Sequence, residues 1–449
     1  MKTPPARSPD PSSGTGQQLY RRARTRIPGG AQLLGKRPEQ YLPGGWPAYY
    51  QRAEGCTIWD LDGQPFTDFT SNGIGTCLLG YADPTVNAAV TDCIARGSMC
   101  TLNSPAEVTL ADRLCAIHPW ASKVRYTRSG GEAMAVAVRL ARAFTRRSTI
   151  AFCGYHGWSD WYLAANLAES DALSGHLLPG LDPDGVPRAL QGSALPFHYN
   201  QIAELEQIVA TPGSNLAAIV MEPMRYDAPR DGFLEKVRAL ADKTGAVLIF
   251  DEITAGWRSN FGGIHLTLGV APDIAVFAKA LSNGFPMAAI IGRDAVMDAA
   301  QTTFVSSTYW TEAIGPTAAI ATLARMEQVD VAGHIRKIGT LVRAGWTEAA
   351  ARHGLPVKVS GLPALCLLGF DAGAESKAVM TLFTQEMLAR GFLSAGGFYP
   401  TFAHQPEVVA DYLKAVDTVF GFLKKQLDHG TVSTALHGPV AQSGFARLT

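Results

Sequence analysis

The run Ala246-Val247-Leu248-Ile249-Phe250-Asp251-Glu252 decides the fold, together with its counterpart Ile274-Ala275-Val276-Phe277-Ala278-Lys279. Each is a short, unbroken apolar stretch that stops at a charged side chain. Ile150-Ala151-Phe152-Cys153, Ala217-Ala218-Ile219-Val220-Met221 and Ala288-Ala289-Ile290-Ile291 are similarly short apolar runs. A strand with one wet face alternates apolar and polar residues; these do not alternate, so both faces of each must be covered. Between them the apolar spacing is helical. Strands covered on both faces and separated by helices make an α/β protein with a mostly parallel sheet, whose ligand sits at the carboxyl ends of the strands. The polar residues that follow the runs are therefore the ones to read for chemistry.

A chain of 449 residues exceeds what one core supports, so a large domain with a smaller partner is expected. Balanced charge, 39 basic against 39 acidic side chains, argues against a polyanion-binding or membrane-surface protein and leaves a small ligand. No run is long enough to cross a bilayer, and Met1-Lys2-Thr3-Pro4-Pro5 lacks the apolar core of a signal peptide. The expectation is a cytoplasmic protein with no nucleic-acid or membrane partner. The seven cysteines are scattered, odd in number and without Cys-x-x-Cys, which argues against a disulfide framework and a structural zinc; most are expected to be buried thiols, and no metal is expected. Residues 1–18 are rich in Pro, Ser and Gly and read as a disordered arm. Residues 19–95 contribute to the small domain and open on a hairpin around Asp62-Gly63. Residues 96–334 form the large domain, 335–430 a smaller α+β domain, and 431–449 a tail. Within 335–430, helices over 335–353, 376–390 and 406–427 flank strands near 365–370 and 392–394.

Four groups follow apolar runs. Lys279, 28 residues after Asp251, is costly to desolvate as an ammonium, so it loses its proton readily and becomes a nucleophile; otherwise its head reaches solvent from a strand end. Asp251 can pair with a protonated ring nitrogen, while a metal or nucleotide role is weakened by the lack of a Gly-x-x-x-x-Gly-Lys-Ser/Thr loop. Ser129-Gly130-Gly131-Glu132-Ala133 precedes a helix over 133–146 and is either a phosphate site or an ordinary Ser N-cap. In Gly154-Tyr155-His156-Gly157, Tyr155 offers a stacking face or packs in the core, and His156 is a structural hydrogen-bonding residue or a catalyst.

The ordered set Ser-Gly-x-Glu-Ala, Gly-Tyr-His-Gly, Phe-Asp-Glu-Ile and Pro-Asp-x-x-x-x-x-Lys-Ala resembles the class III pyridoxal-phosphate-dependent aminotransferases over residues 20–430. Ile27-Pro28-Gly29-Gly30, Ile58-Trp59-Asp60-Leu61-Asp62-Gly63, Leu79-Gly80-Tyr81-Ala82-Asp83-Pro84 and Ser307-Thr308-Tyr309 are similar to the glutamate-1-semialdehyde 2,1-aminomutases and aminomutase-like aminotransferases. The resemblance implies an aspartate-aminotransferase-like (type I) fold, with a mostly parallel seven-stranded sheet in the large domain. It implies pyridoxal 5'-phosphate held by Lys279 as an internal aldimine, alternating with pyridoxamine 5'-phosphate. Asp251 would meet the pyridine nitrogen, Tyr155 would cover one ring face and Ile253 the other, and Glu222 would lie near the ring substituents. Gly130 and Gly131 would bind the phosphate through their backbone, and Ser129 and His156 would belong to the same cofactor-binding set. Thr308 would reach it from a neighbouring subunit, since the family forms homodimers with shared sites.

Departures from the family pattern bear on the substrate. Gly131 stands where a hydroxyl residue is usual, which removes a phosphate donor. Pro28-Gly29-Gly30 continues to Lys36 and Arg37 without a clear counterpart of the aminomutase's substrate arginine, and no arginine occurs from 392 to 412. A bidentate carboxylate partner is not evident. The reading is therefore ping-pong transfer of an amino group from an amino acid, glutamate first, to a ketone or aldehyde such as a keto-sugar or secondary-metabolite intermediate. An intramolecular 2,1-aminomutase is the alternative, followed by other carbanion chemistry such as decarboxylation or racemisation, and by a non-catalytic cofactor-binding relative. A nicotinamide dehydrogenase is disfavoured because no Gly-x-Gly-x-x-Gly follows an early strand.

Overall fold

The computed structural model describes residues 13–169, 171–176, 180–211 and 215–442. The chain divides into two compact units, Pro84–Ala332 and a second that combines the residues before Pro84 with those from Gly333 onward.

In Pro84–Ala332 all five apolar runs are strands of one seven-stranded sheet. Its order is Lys123–Thr127, Ala288–Gly292, Ile274–Phe277, Val247–Asp251, Leu216–Met221, Thr149–Cys153 and Ala194–Pro196. Ala288–Gly292 runs antiparallel to both of its neighbours, and the remaining pairings are parallel. Successive side chains of a strand point to opposite faces, and here they feed two separate cores. Ile150, Phe152, Ala218, Val220, Val247, Ile249, Ile274 and Val276 join the helix Gly130–Thr145 in one core. Ala151, Ile219, Met221, Leu248 and Phe250 join Phe233, Leu234, Val237 and Ala241 of the helix Phe233–Thr244 in the other. Burying one such Val, Leu, Ile or Phe contributes about 1.5–3 kcal/mol, so two filled faces hold the strand ends firmly.

The second unit carries two small sheets. Tyr50–Glu54, Thr57–Asp60 and Pro65–Phe69 form a meander whose second turn holds Asp62 and Gly63, and Phe392–Ser394 adds to it in parallel. Val357–Leu362, Leu365–Phe370 and Gly397–Phe398 form the other sheet. The long helices are Val331–His353, Ser376–Ala389 and Pro406–His429. Their shared core includes Trp346, Phe383, Tyr412 and Phe420, with Phe69 stacked on Tyr412 at 3.7 Å between ring centroids.

Three expectations change. The arm expected to be disordered to residue 18 gives way to a helix, Thr15–Arg24, while residues 1–12 lie outside the described residues. The cause is non-local: Asp62 accepts from the Thr15 N–H at 2.9 Å and from its hydroxyl, which caps the first turn from the hairpin loop. The break between units falls after Asp83, which places the helix Pro84–Arg96 with the larger unit. The expected tail opens with a helical turn, Val432–Ala435, and its residues 443–449 lie outside the described residues. Cys56, Cys93, Cys153 and Cys366 are buried, and Cys100 is exposed. Among the described residues no helix is long and apolar enough to cross a membrane.

Candidate active site

Lys279 follows the buried strand Ile274–Phe277 and takes a left-handed backbone, with φ 47°. An L-residue with a Cβ pays about 1–2 kcal/mol for that conformation. Here it ends the strand and starts the turn Lys279–Ser282. The Nζ donates to Thr254 Oγ1 at 2.8 Å. Lys279 keeps some exposure as a residue, yet its amine sits deep enough for burial to be the first cause of a pKa lowered to about 8. The Arg225 charge adds to the lowering, against the pull of Glu222 and Asp251.

Asp251 closes the neighbouring strand and is buried. Its Oδ1 accepts from the Ile253 N–H at 2.9 Å and its Oδ2 faces His156 Nδ1 at 2.8 Å. The other ring nitrogen of His156 faces the Cys153 carbonyl at 3.0 Å. The ring thus bridges a carboxylate oxygen and a backbone carbonyl. Of the two readings left open for His156, the hydrogen-bonding one matches this geometry.

Glu222 follows the strand Leu216–Met221 and is buried; burial raises its carboxyl pKa, while Arg225, its ion-pair partner at 2.7 Å, pulls it down. Gly154 leaves the end of Thr149–Cys153 at φ 108°, a region that favours glycine, and a Cβ there would stand 3.4 Å from Glu222 Oε2. The chain then delivers Tyr155, half-buried against the first core and edge-on to Tyr162 at 5.9 Å. Burial raises the Tyr155 phenol pKa and the Arg225 charge opposes it.

At the helix Gly130–Thr145, Ser129 and Glu132 form a full capping box: the hydroxyl accepts from the Glu132 N–H, and the Glu132 carboxylate accepts from the Ser129 N–H at 3.0 Å. The Ser N-cap is thus real, and the Gly130 and Gly131 N–H groups remain at the positive end of a 16-residue helix. A Cβ on Gly130 would come 2.9 Å from Ile253 Cδ1, and one on Gly131 would come 3.1 Å from Trp158 Nε1. The two glycines keep a narrow cradle open beside Ile253 and the Trp158 indole.

The structure thus brings Lys279, Asp251, His156, Tyr155 and Glu222 into one electrostatically linked group, with Ile253 spanning from Asp251 to Gly130. Thr308 stands apart, exposed at the start of the turn Thr308–Thr311, which Arg128 anchors through the Trp310 and Glu312 carbonyls at 3.0 and 2.7 Å. Sequence reading missed three neighbours. Thr254 lies three residues after Asp251, and a hydroxyl beyond a strand end was a usable signal. Trp158 follows Gly157 directly. Arg225 gave no periodic or motif signal at all.

Comparison with known proteins shows the family. The family model for class-III aminotransferases matches residues 43–413. The 3-aminobutyryl-CoA aminotransferase of Cloacimonas acidaminovorans is 28% identical over 91% of this chain and 97% of its own. The 2'-deamino-2'-hydroxyneamine transaminase of Streptomyces kanamyceticus is 33% identical over 76% and 82%, and the glutamate-1-semialdehyde 2,1-aminomutase of Nitrosomonas europaea 31% over 93% and 99%. The PLP internal aldimine form of the FumI protein of Sphingopyxis sp. MTA144 superposes with a TM-score of 0.81 at 26% identity, covering 92% of this chain and 97% of that one. The seven-stranded sheet is that of the type I fold, and the chain belongs to the class III aminotransferases, enzymes whose cofactor is pyridoxal phosphate.

Proposed function

We propose that the protein moves an amino group from an amino acid donor, glutamate first, to a ketone or aldehyde acceptor of the polyhydroxylated kind, in two half-reactions. The observation that carries transamination is the Lys279 amine, brought to about pKa 8 beside the Asp251–His156 pair. The acceptor class rests on the 33% identity to an enzyme named for a transamination of 2'-deamino-2'-hydroxyneamine.

The residues fit pyridoxal phosphate. A Cβ at Gly130 would force Ile253 to shift, and the Gly130–Gly131 pair opens at a helix N-terminus, which suits a phosphate. Lys279 would hold the aldehyde carbon, Asp251 the ring nitrogen, Tyr155 and Ile253 the two ring faces, and Glu222 the edge bearing the ring substituents. When bound, the cofactor supplies a cationic ring that takes up the charge left by a departing α-proton. Asp251, fixed by two hydrogen bonds, keeps that ring nitrogen protonated. Lys279 Nζ, whose pKa burial lowers to about 8 in the cofactor-free chain, would be the base that moves the proton from the donor's α-carbon. Thr254 Oγ1 orients that nitrogen.

We also place the protein in the cytoplasm, as a biosynthetic homodimer with Thr308 completing the partner's phosphate site. Leu102, Trp158, Phe304 and Tyr309 are 79%, 71%, 84% and 70% exposed in the single chain, large apolar side chains of the kind that a partner surface covers. The 31% identity to an aminomutase over 93% of the chain favours a second reading, intramolecular amine migration with the same residues. The absorbance of the purified protein before and after glutamate and other amino donors separates the two. Conversion of the lysine-bound band to the pyridoxamine band, with stoichiometric keto acid, is expected; a bound cofactor that no donor converts would transfer the assignment to the aminomutase.

A further inference from the structure

We infer that Arg225 is the carboxylate-recognising residue of this site, binding the carboxylate of the amino donor. The inference rests on the transaminase reading and names the class of its first substrate, an α-amino acid.

Arg225 lies just past the carboxyl end of the strand Leu216–Met221, the same end of the sheet that presents Asp251 and Lys279. Its backbone is placed by a turn whose Pro223 carbonyl accepts from the Tyr199 hydroxyl at 2.6 Å. The side chain does not run out to water: only 11% of it is exposed, its Nη1 meets Glu222 Oε1 at 2.7 Å, and its guanidinium carbon lies 5.1 Å from the Tyr226 ring centre. An arginine that served the surface would extend from this loop.

Two cations act on the Lys279 amine, Arg225 and Arg258. Arg258 is fully buried, whereas Arg225 keeps 11% of its side chain exposed. A donor amino acid carries its carboxylate one carbon from the amine that must meet Lys279's nitrogen, and a cation close to that nitrogen is what such a substrate requires. A planar guanidinium offers the matching two-pronged donor geometry. Glu222 is the competitor already in place: its carboxylate holds Arg225 until a substrate carboxylate exchanges for it, which keeps the cation from standing uncompensated beside Lys279. Arg225 also accounts for how the site can bind an anion although residues 392–412 contain no arginine.

The test uses cofactor-loaded enzyme with L-glutamate and L-alanine against benzylamine, which has no carboxylate. The ratio of kcat/KM for the amino acids to that for benzylamine, read from conversion of the lysine-bound absorbance, should fall on the order of 100-fold in Arg225→Met. Arg225→Lys should recover part of it, with the remaining loss in KM. Titration calorimetry with succinate, which cannot react, should show about tenfold or greater weakening in Arg225→Met. A role confined to holding Glu222 would lower all three amines together, so an unchanged ratio overturns the proposal, as does unchanged succinate affinity. Should Arg225→Met not fold, an unchanged ratio in Arg225→Lys overturns it. Wild-type enzyme that binds cofactor but converts with none of the amines would sink the transaminase reading instead, and the succinate titration would then decide Arg225 alone.

Discussion

Lys279 carries a cost that its chemistry requires. In the folded protein without cofactor its pKa is about 8, against 10.5 for an ordinary lysine. Below pH 8 both folded and unfolded chains hold the proton and the fold bears the full penalty, about 3 kcal/mol. Between pH 8 and 10.5 the folded amine releases its proton while the unfolded one keeps it, so the penalty shrinks, and above 10.5 it is gone. Cofactor-free Lys279→Met should therefore be more stable than wild type at pH 7 by that amount, with the gap closing as the pH approaches 10.5 in urea unfolding curves. A gap independent of pH would refute it. Gly131 predicts a gain rather than a loss. The Trp158 indole that borders it is exposed and has only a few tenths of an ångström to yield, so Gly131→Thr should fold normally and add a hydroxyl donor for phosphate. Cofactor loss on dialysis should slow by about tenfold or more, the worth of one hydrogen bond to a charged group.

At the level of elements, legibility followed burial. The five unbroken apolar runs became strands because both of their faces are filled, and nothing in their surroundings competes with that pattern. Tyr50–Glu54 and Val357–Leu362 escaped notice because they are exposed or half-buried and carry no clean alternation. The helix Thr15–Arg24 escaped because its cap, Asp62, is 47 residues away. Lys279 and Asp251 were legible as charges closing apolar strands. Arg225 was not, because its inward turn depends on the pairing with Glu222, which only the folded loop creates. Gly339 in the helix Val331–His353 is a further case of context overriding propensity. Alanine normally strengthens a helix by about 1 kcal/mol over glycine. Here a Cβ would come within 1.8 Å of the Pro363 carbonyl oxygen. Gly339→Ala should reverse the usual sign and destabilise by about 3 kcal/mol, measured by urea unfolding; a stabilised variant would show that the helix and the turn at Pro363 part easily.

For the whole molecule, the proposed dimer predicts that sedimentation equilibrium gives twice the chain mass of 47.9 kDa. Placing a carboxylate at two of the most exposed apolar positions, Leu102→Glu with Phe304→Glu, should halve that mass and weaken cofactor retention, since Thr308 would no longer meet a partner's site. A double variant that keeps both its mass and its cofactor would count against the shared site. The left-handed backbone of Lys279 has a broader consequence. Its φ of 47° is a conformation in which glycine or asparagine rests more easily than lysine, so the position is held by chemistry against the preference of its own main chain. Selection on a library of variants for cellular abundance and selection for turnover should therefore rank position 279 in opposite orders. Glycine should lead the first and fail the second, marking this residue as one that the organism keeps at the expense of a sturdier protein.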